Sequence, residues 1–116
     1  MNPTVGRIVH FRLTAEQALE IQRSRNDCRE GVALAAGVGR RGNPVAEGSV
    51  VPLIITAVWP SEYAGGRLSH HPDGTSYESA FGVNGRALLD GTDTAWICSA
   101  PQHATLMGCW FWPPRD

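Results

Sequence analysis

The segment Ser49 to Trp59, SVVPLIITAVW, constrains the fold of this chain more than any other stretch. Six of its eleven residues are Val, Ile or Leu, side chains that pack well on a pleated surface. A short apolar run of this kind is typical of a largely buried β-strand. Pro52 lacks a backbone N–H group, so we expect the strand to lie at a sheet edge or to contain a bulge.

Two further segments predict strands at the ends of the chain. Polar and apolar residues alternate over Gly6 to Leu13, GRIVHFRL, and this period of two indicates a strand with one partly apolar face. Cys109 to Trp112 predicts a short last strand. The Pro113-Pro114 pair ends it, because proline cannot continue a hydrogen-bonded ladder.

Two glycine-containing dipeptides indicate turns in the second half of the chain. Asn84-Gly85 stands between Ser79 to Val83 and Arg86 to Leu89. Because Asn-Gly tolerates the positive φ values of a type I′ turn, this arrangement predicts a β-hairpin. Asp90-Gly91 marks a second tight turn, which leads into a strand from Thr92 to Ser99.

A single helix is predicted after the first strand. Thr14 and Gln17 match the capping box, in which each side chain accepts a hydrogen bond from the backbone of the other residue. We expect the helix to run from about Ala15 to Arg29.

Length and composition indicate one domain that covers residues 1–116. The chain is 42% apolar and 18% charged, as is ordinary for a globular protein. Residues of about 31–43 and 60–78 are rich in glycine, proline or adjacent polar residues and are expected to form flexible loops. The predicted fold is α+β, with a small antiparallel β-sheet or partly open β-barrel of five to six strands and one N-terminal helix.

Hydropathy and cysteine spacing predict a cytoplasmic protein. No apolar run reaches the roughly 18 to 20 residues that span a bilayer, and residues 1–7 lack a charged segment followed by an apolar one. The three cysteines, Cys28, Cys98 and Cys109, form no C-x-x-C pair. We therefore expect buried thiols rather than disulfides or a zinc site.

All ten basic residues are arginine, although the net charge is only −1. A GC-rich coding sequence explains this bias without any function. Guanidinium groups nevertheless suit phosphate and stack on flat rings as ammonium groups do not. Because the chain lacks a broad positive charge, a small anionic ligand fits better than duplex DNA.

No arrangement of residues predicts catalysis. Asp90 and Asp93 are better explained as turn residues, and the adjacent His70 and His71 would point to opposite faces of a strand. With no nucleophile and base and no metal-ligand set, we expect neither an enzyme nor a bound metal or cofactor. His10 is open to two interpretations, a core histidine or a donor to a ligand.

Four tryptophans are many for this length. Trp110 and Trp112 stand two apart, so on a strand they would share one face. Such a pair is either the anchor of a β core or a platform for stacking. Trp59 and Trp96 lie on other predicted strands, and we hypothesise that several indoles converge with arginines on one patch.

Several segments, TVGRIVHF, GNPV, VVPLIITAVW, LLDGTDTAW and WFWPPR, resemble a family of small, mostly uncharacterised tailed-phage proteins. The element Trp96 to Ser99, followed by a C-terminal Trp strand, is loosely similar to phage sponge proteins. Those proteins sequester the nucleotide signals of bacterial immune systems such as CBASS and Thoeris, and are small β-rich homo-oligomers. This second resemblance implies roles for Trp96 and Ser99 only.

The leading hypothesis is a phage-encoded homo-oligomer that sequesters a small nucleotide immune signal, of cyclic oligonucleotide or cyclic ADP-ribose type, without cleaving it. The alternatives are a structural or protein-interaction module and a nucleotide hydrolase. The residues expected to bind the nucleotide are Arg7, His10, Arg12, Asn43, Trp59, Asn84, Arg86, Thr94, Trp96, Ser99, Trp110 and Trp112.

Overall fold

The computed structural model of the protein describes residues 2–30, 42–60 and 81–114. The elements in chain order are β1 (Ile8–Arg12), α1 (Ala15–Glu30), β2 (Val50–Pro60), β3 (Phe81–Leu88), β4 (Thr94–Ala100) and β5 (Trp110–Phe111). The strands form one antiparallel sheet in the order β4-β3-β2-β1-β5. The predicted α+β class is confirmed, and the sheet is open rather than closed into a barrel.

The two predicted loops fall mostly outside the described residues. Only Gly42 and Asn43 of the first loop and Pro60 of the second are described, and Pro60 is the last residue of β2. Within the described residues, no helix combines the length and the apolar character needed to cross a bilayer.

Helix α1 begins at the predicted capping box. The Thr14 N–H donates to Gln17 Oε1 at 2.9 Å, and the Gln17 N–H donates to Thr14 Oγ1 at 3.0 Å. Two otherwise unsatisfied donors of the first turn are thereby paired. Ala18 and Ile21 are buried, so α1 turns its apolar side to the core of the protein.

The sheet has one buried face and one exposed face. In β1, Val9 and Phe11 are buried, whereas Ile8 is exposed and His10 and Arg12 are half-buried. We call the buried side the inner face and the other side the outer face. The core on the inner face includes Val9, Phe11, Leu13, Val51, Leu53, Ile55, Val83, Ala87, Ile97 and Trp110, together with Ile21 of α1.

Pro52 lies in the central strand β2, so of the two alternatives the edge position is wrong, whereas the strand does contain a bulge. The Ile55 N–H donates to the Arg7 carbonyl at 2.9 Å. Because hydrogen bonding alternates along a strand, Pro52 directs its missing N–H group towards β3. Pairing with β3 begins only at Leu53, opposite Ala87, and the bulge of this strand begins three residues after the proline. The proline therefore stands at the end of the β2–β3 ladder, where a missing donor interrupts no bond further along it.

The Asn84-Gly85 dipeptide lies inside β3 and forms no turn, so the predicted hairpin is wrong. Gly85 is buried, and a Cβ atom at this position would collide with the carbonyl oxygen of Ile54 in β2. Glycine is needed here because the two strands approach closely, not because the chain reverses. The second predicted turn, Asp90-Gly91, is confirmed as part of the connection between β3 and β4.

A β-bulge lies opposite Asn84. Two residues of β4, Cys98 and Ser99, face this single residue of β3. Ser99 has a φ of 54°, in the left-handed region. The Ser99 N–H donates to Asn84 Oδ1 at 2.7 Å, so the asparagine side chain satisfies a donor that the bulge takes out of the ladder.

The Gly85→Ala variant is expected to lower the free energy of unfolding by roughly 1 to 3 kcal/mol, because the added methyl group forces β2 and β3 apart. Ser99→Gly, a change in the bulge of β4, is expected instead to raise the free energy of unfolding. The left-handed conformation costs serine roughly 1 to 2 kcal/mol, and the greater flexibility of unfolded glycine cancels part of that gain. Denaturant unfolding measures both effects. A Gly85→Ala protein as stable as the parent would contradict the close strand contact.

Candidate functional site

A row of four side chains crosses the outer face of the sheet. Arg86 in β3 lies opposite Trp96 in β4 and opposite Ile54 in β2. Ile54 in turn lies opposite Ile8 in β1. Directly opposed residues have neighbouring side chains on the same face, so these four form one continuous strip.

A second group on the outer face is centred on His10. This residue lies opposite Phe111 of β5 and opposite Pro52 of β2. The rings of His10 and Phe111 meet edge to face, with centroids 5.5 Å apart. On the same face, towards the β4 edge, Leu88 and Thr94 lie opposite each other.

Large apolar side chains are exposed on this face. Ile8 is 54% exposed, Trp96 51%, Val50 44% and Leu88 40%. Scattered exposed apolar residues are normal, but a contiguous exposed group of them marks an interaction surface. Since α1 packs on the inner face, the outer face is the candidate for a ligand or partner.

Two arginines of the outer face lie over aromatic rings. The guanidinium carbon of Arg86 is 5.4 Å from the centroid of the Trp96 ring, and that of Arg12 is 5.0 Å from the centroid of the Phe111 ring. The five strands carry no Asp or Glu. Among the described residues, neither arginine has a carboxylate partner, so this face is positive although the chain as a whole is not.

Each of these arginine and aromatic pairs can bind a base and a phosphate together. A guanidinium group held over a ring keeps donors available for an anion, and both planar groups can stack with a nucleobase. Arg12 also donates to the Ala104 carbonyl through Nη2 at 3.3 Å, a contact that restrains its direction.

The two pairs are well separated on the face. Arg12 lies in β1 and Arg86 in β3, two strands away, and their positions along the strands differ by four residues. Their Cα atoms are therefore roughly 15 to 17 Å apart. A single phosphate is too small to engage both guanidinium groups from the ring-stacked positions. A ligand that carries two bases and two phosphates matches this spacing better.

Of the twelve predicted binding residues, the structure brings five together on this surface. They are His10, Arg12, Arg86, Thr94 and Trp96. Trp59 is 39% exposed. It follows Val58, which packs against the core, so strand alternation places Trp59 on the outer face. It lies, however, at the far end of β2.

Asn84 also faces outwards, because it alternates with buried Val83 and Gly85, but its side chain accepts the Ser99 N–H at the bulge. The remaining predicted residues lie elsewhere. Arg7 lies over the Trp112 ring at 5.4 Å, and Trp112 packs edge to face on Trp110 at 5.3 Å. Trp110 is fully buried, so of the two interpretations offered for it the structure places it in the core.

Several residues of the outer face were missed by the sequence analysis: Phe111, Ile8, Ile54, Leu88 and Val50. Strand alternation carried a signal for two of them. Phe111 stands between two tryptophans that share the inner side, and Ile8 alternates with buried Val9. The others required the register between strands that are distant in sequence.

Asn43, also predicted to bind ligand, belongs instead to a polar cluster around Arg25. Arg25 is 3% exposed and makes a two-pronged ion pair with Asp93, with both N–O distances 2.9 Å. Its Nη1 donates to the Asn43 carbonyl at 2.7 Å. Asn43 Nδ2 donates in turn to an Asp90 carboxylate oxygen.

The ion pair raises the pKa of Arg25 above its ordinary value. The hydrogen bond to Asp93 is the main cause and outweighs burial, which acts in the opposite direction. The arginine therefore stays charged at physiological pH. Gly42 is required beside it, because a Cβ there would collide with the Asp90 carbonyl oxygen and crowd the Arg25 guanidinium.

The two cysteines whose side chains are described differ in their exposure to solvent. Cys109 is buried, as expected, whereas Cys98 is exposed on β4 and departs from the expectation of a buried thiol. The side chain of Cys28 lies outside the described part of the chain. In the described ranges, no group of three His, Cys, Asp or Glu side chains is placed to hold a metal ion.

Comparison with known proteins identifies no relative. No protein-family model matches the chain, and neither the curated protein sequences nor the solved structures give a match.

Asp93→Asn tests the buried ion pair, because it keeps the shape of the side chain and removes its charge. We expect the free energy of unfolding to fall by about 3 kcal/mol or more, since Arg25 is left buried without its counter-charge. Asp90→Asn, on the same connection but exposed, is the matched control and should cost less than about 1 kcal/mol. Thermal or denaturant unfolding of the parent and of both variants measures these changes in the free energy of unfolding. Equal effects of the two variants would contradict a dominant role for the pair.

Proposed function

We propose that this protein is a non-catalytic binding protein whose outer face captures a small anionic nucleotide. The observation that carries the proposal is the pairing of Arg86 with Trp96 and of Arg12 with Phe111 on an exposed face whose strands carry no carboxylate. Flat rings and guanidinium groups are the side chains that stack on bases and bind phosphates.

The ligand class follows from the same geometry. Two arginine and aromatic pairs, at the spacing given above, favour a nucleotide with two bases and two phosphate groups. The resemblance of Trp96 to Ser99 to phage sponge proteins favours a cyclic oligonucleotide or a cyclic ADP-ribose. We therefore propose a phage protein that acts in the host cytoplasm as a homo-oligomer and withdraws such an immune signal from its receptor.

Sequestration requires that the ligand be returned unchanged. No strand of the sheet carries Asp or Glu, so the outer face supplies no carboxylate from its strands to act as a general acid or base. The imidazole that the described strands place on this face, His10, meets Phe111 edge to face, and no carboxylate of these strands lies beside it to orient it as a base. The proposal is therefore of binding without cleavage.

A second function, a protein-interaction module, is favoured by one specific observation. Ile8, Val50 and Leu88 expose large apolar side chains on the same face, and apolar area of this kind also suits a protein partner. Association with a protein in the absence of any nucleotide binding would favour this alternative.

The Arg86→Gln variant is the direct test of nucleotide binding. We expect binding of the cognate nucleotide, found in a panel of cyclic di- and trinucleotides and cyclic ADP-ribose isomers, to weaken about tenfold or more. This corresponds to the loss of about 1.4 kcal/mol from one charged contact. Arg12→Gln should act in the same direction. Arg23→Gln, an exposed change on α1, is the matched control and should bind as the parent does.

Two readouts decide the outcome. The melting shift produced by the nucleotide measures binding, and chromatography of the ligand released by heating shows whether it is intact. A cleaved product would assign the protein to the hydrolases. Unchanged binding by both Arg86→Gln and Arg12→Gln would remove the phosphate assignment.

A further inference from the structure

Strand β4 presents an unpaired edge to its surroundings. It is the terminal strand of the sheet, and only its β3 side is paired among the described residues. Hydrogen bonding alternates along each strand, and β2 bonds to β1 through its odd-numbered residues, as the bond from Ile55 to Arg7 shows. Carried across β3, this alternation directs the backbone groups of Thr94 and Trp96 away from the sheet, up to the bulge that begins at Cys98.

From Thr94 to Ile97, before the bulge at Cys98 and Ser99, this edge lacks the charges and prolines that prevent strands from pairing. The sequence of β4, TAWICSA, contains no charged residue and no proline, although natural edges usually carry one or the other. The opposite edge is different. There β5 is only two residues long and Pro113-Pro114 follows it closely. Helix α1 is separated from β4 by a groove of about 220 Å³.

We propose that β4 pairs antiparallel with β4 of a second copy of this chain, around a two-fold axis at Trp96. In this register Thr94 lies opposite Cys98 of the other copy, and the two Trp96 residues lie opposite each other. The N–H and C=O groups of Trp96 point outwards, so the central pair exchanges hydrogen bonds in both directions. A neutral strand meets no like charge when it pairs with itself.

The pairing extends the outer face across two molecules. Trp96 side chains stay on the outer face, and their Cα atoms come within about 5.5 Å of each other. The row Trp96, Arg86, Ile54, Ile8 then continues into the same row of the second copy in reverse order. The second copy thereby contributes an indole and a guanidinium group to the site.

This inference deepens the proposed function, because it rests on the proposal of a homo-oligomer and names the surface that forms it. A flat face encloses less of a small ligand than a cleft does, and small-molecule sites are usually concave. Two neighbouring arginine and tryptophan pairs supply more contact than one. The pairing therefore also explains how an open sheet could retain a nucleotide.

Cysteine crosslinking tests the register. In the Thr94→Cys variant the new thiol lies opposite Cys98 of the second copy, at about 5.5 Å between Cα atoms, within the range of a disulfide. Under mild oxidation we expect a covalent dimer of about 25 kDa, twice the 12.5 kDa of one chain. Thr94→Cys combined with Cys98→Ser retains Cys28 and Cys109 and is the matched control, which should not crosslink.

Sedimentation of the unmodified protein tests the assembly itself, with an expected mass of about 25 kDa at micromolar concentration. A mass of 12.5 kDa at every concentration, or equal crosslinking of the two variants, would overturn the proposal. A dimer that forms while the Thr94→Cys variant fails to crosslink through Cys98 would overturn it as well. Neither measurement uses a nucleotide, so a crosslinked dimer that binds no nucleotide would support this inference and contradict only the proposed function.

Discussion

The buried ion pair between Arg25 and Asp93 holds the parts of this protein together. It joins α1 to the connection between β3 and β4, and through the Asn43 carbonyl it also holds the segment before β2. Burial of a guanidinium group is costly unless its donors are satisfied, and here the carboxylate and the carbonyl satisfy them. The pair fixes α1 on the inner face and orients the two strands that carry Arg86 and Trp96.

The character of the outer face follows from that arrangement. One helix covers one side of a five-stranded sheet, and the other side keeps exposed isoleucine, valine, leucine and tryptophan. Two arginines on this side lie over aromatic rings, and the strands supply no carboxylate to neutralise them. A face that is both apolar and positive suits an aromatic anion, although the net charge of the chain is −1.

Local chemistry predicted part of this structure. The Thr14 and Gln17 capping box located the start of α1, because its hydrogen bonds lie within four residues. The predicted Asn84-Gly85 turn was wrong because the need for glycine at position 85 comes from Ile54, which lies 31 residues earlier in the chain. The candidate site could be predicted only in part for the same reason, because its residues come from strands that are distant in sequence. Strand alternation separated Ile8, His10 and Arg12 from the core residues, but only the register between distant strands placed Arg86 beside Trp96 and separated both from Trp110.

An NMR titration tests the binding face most directly. It follows the indole N–H signals of the four tryptophans while the cognate nucleotide found in the panel is added. Trp96 lies in the outer face beside Arg86, whereas Trp110 is fully buried in the core and serves as an internal reference. If the outer face binds the nucleotide, the Trp96 signal shifts with increasing nucleotide while the Trp110 signal stays in place. A Trp96 signal that does not move at saturating nucleotide would contradict binding at this face.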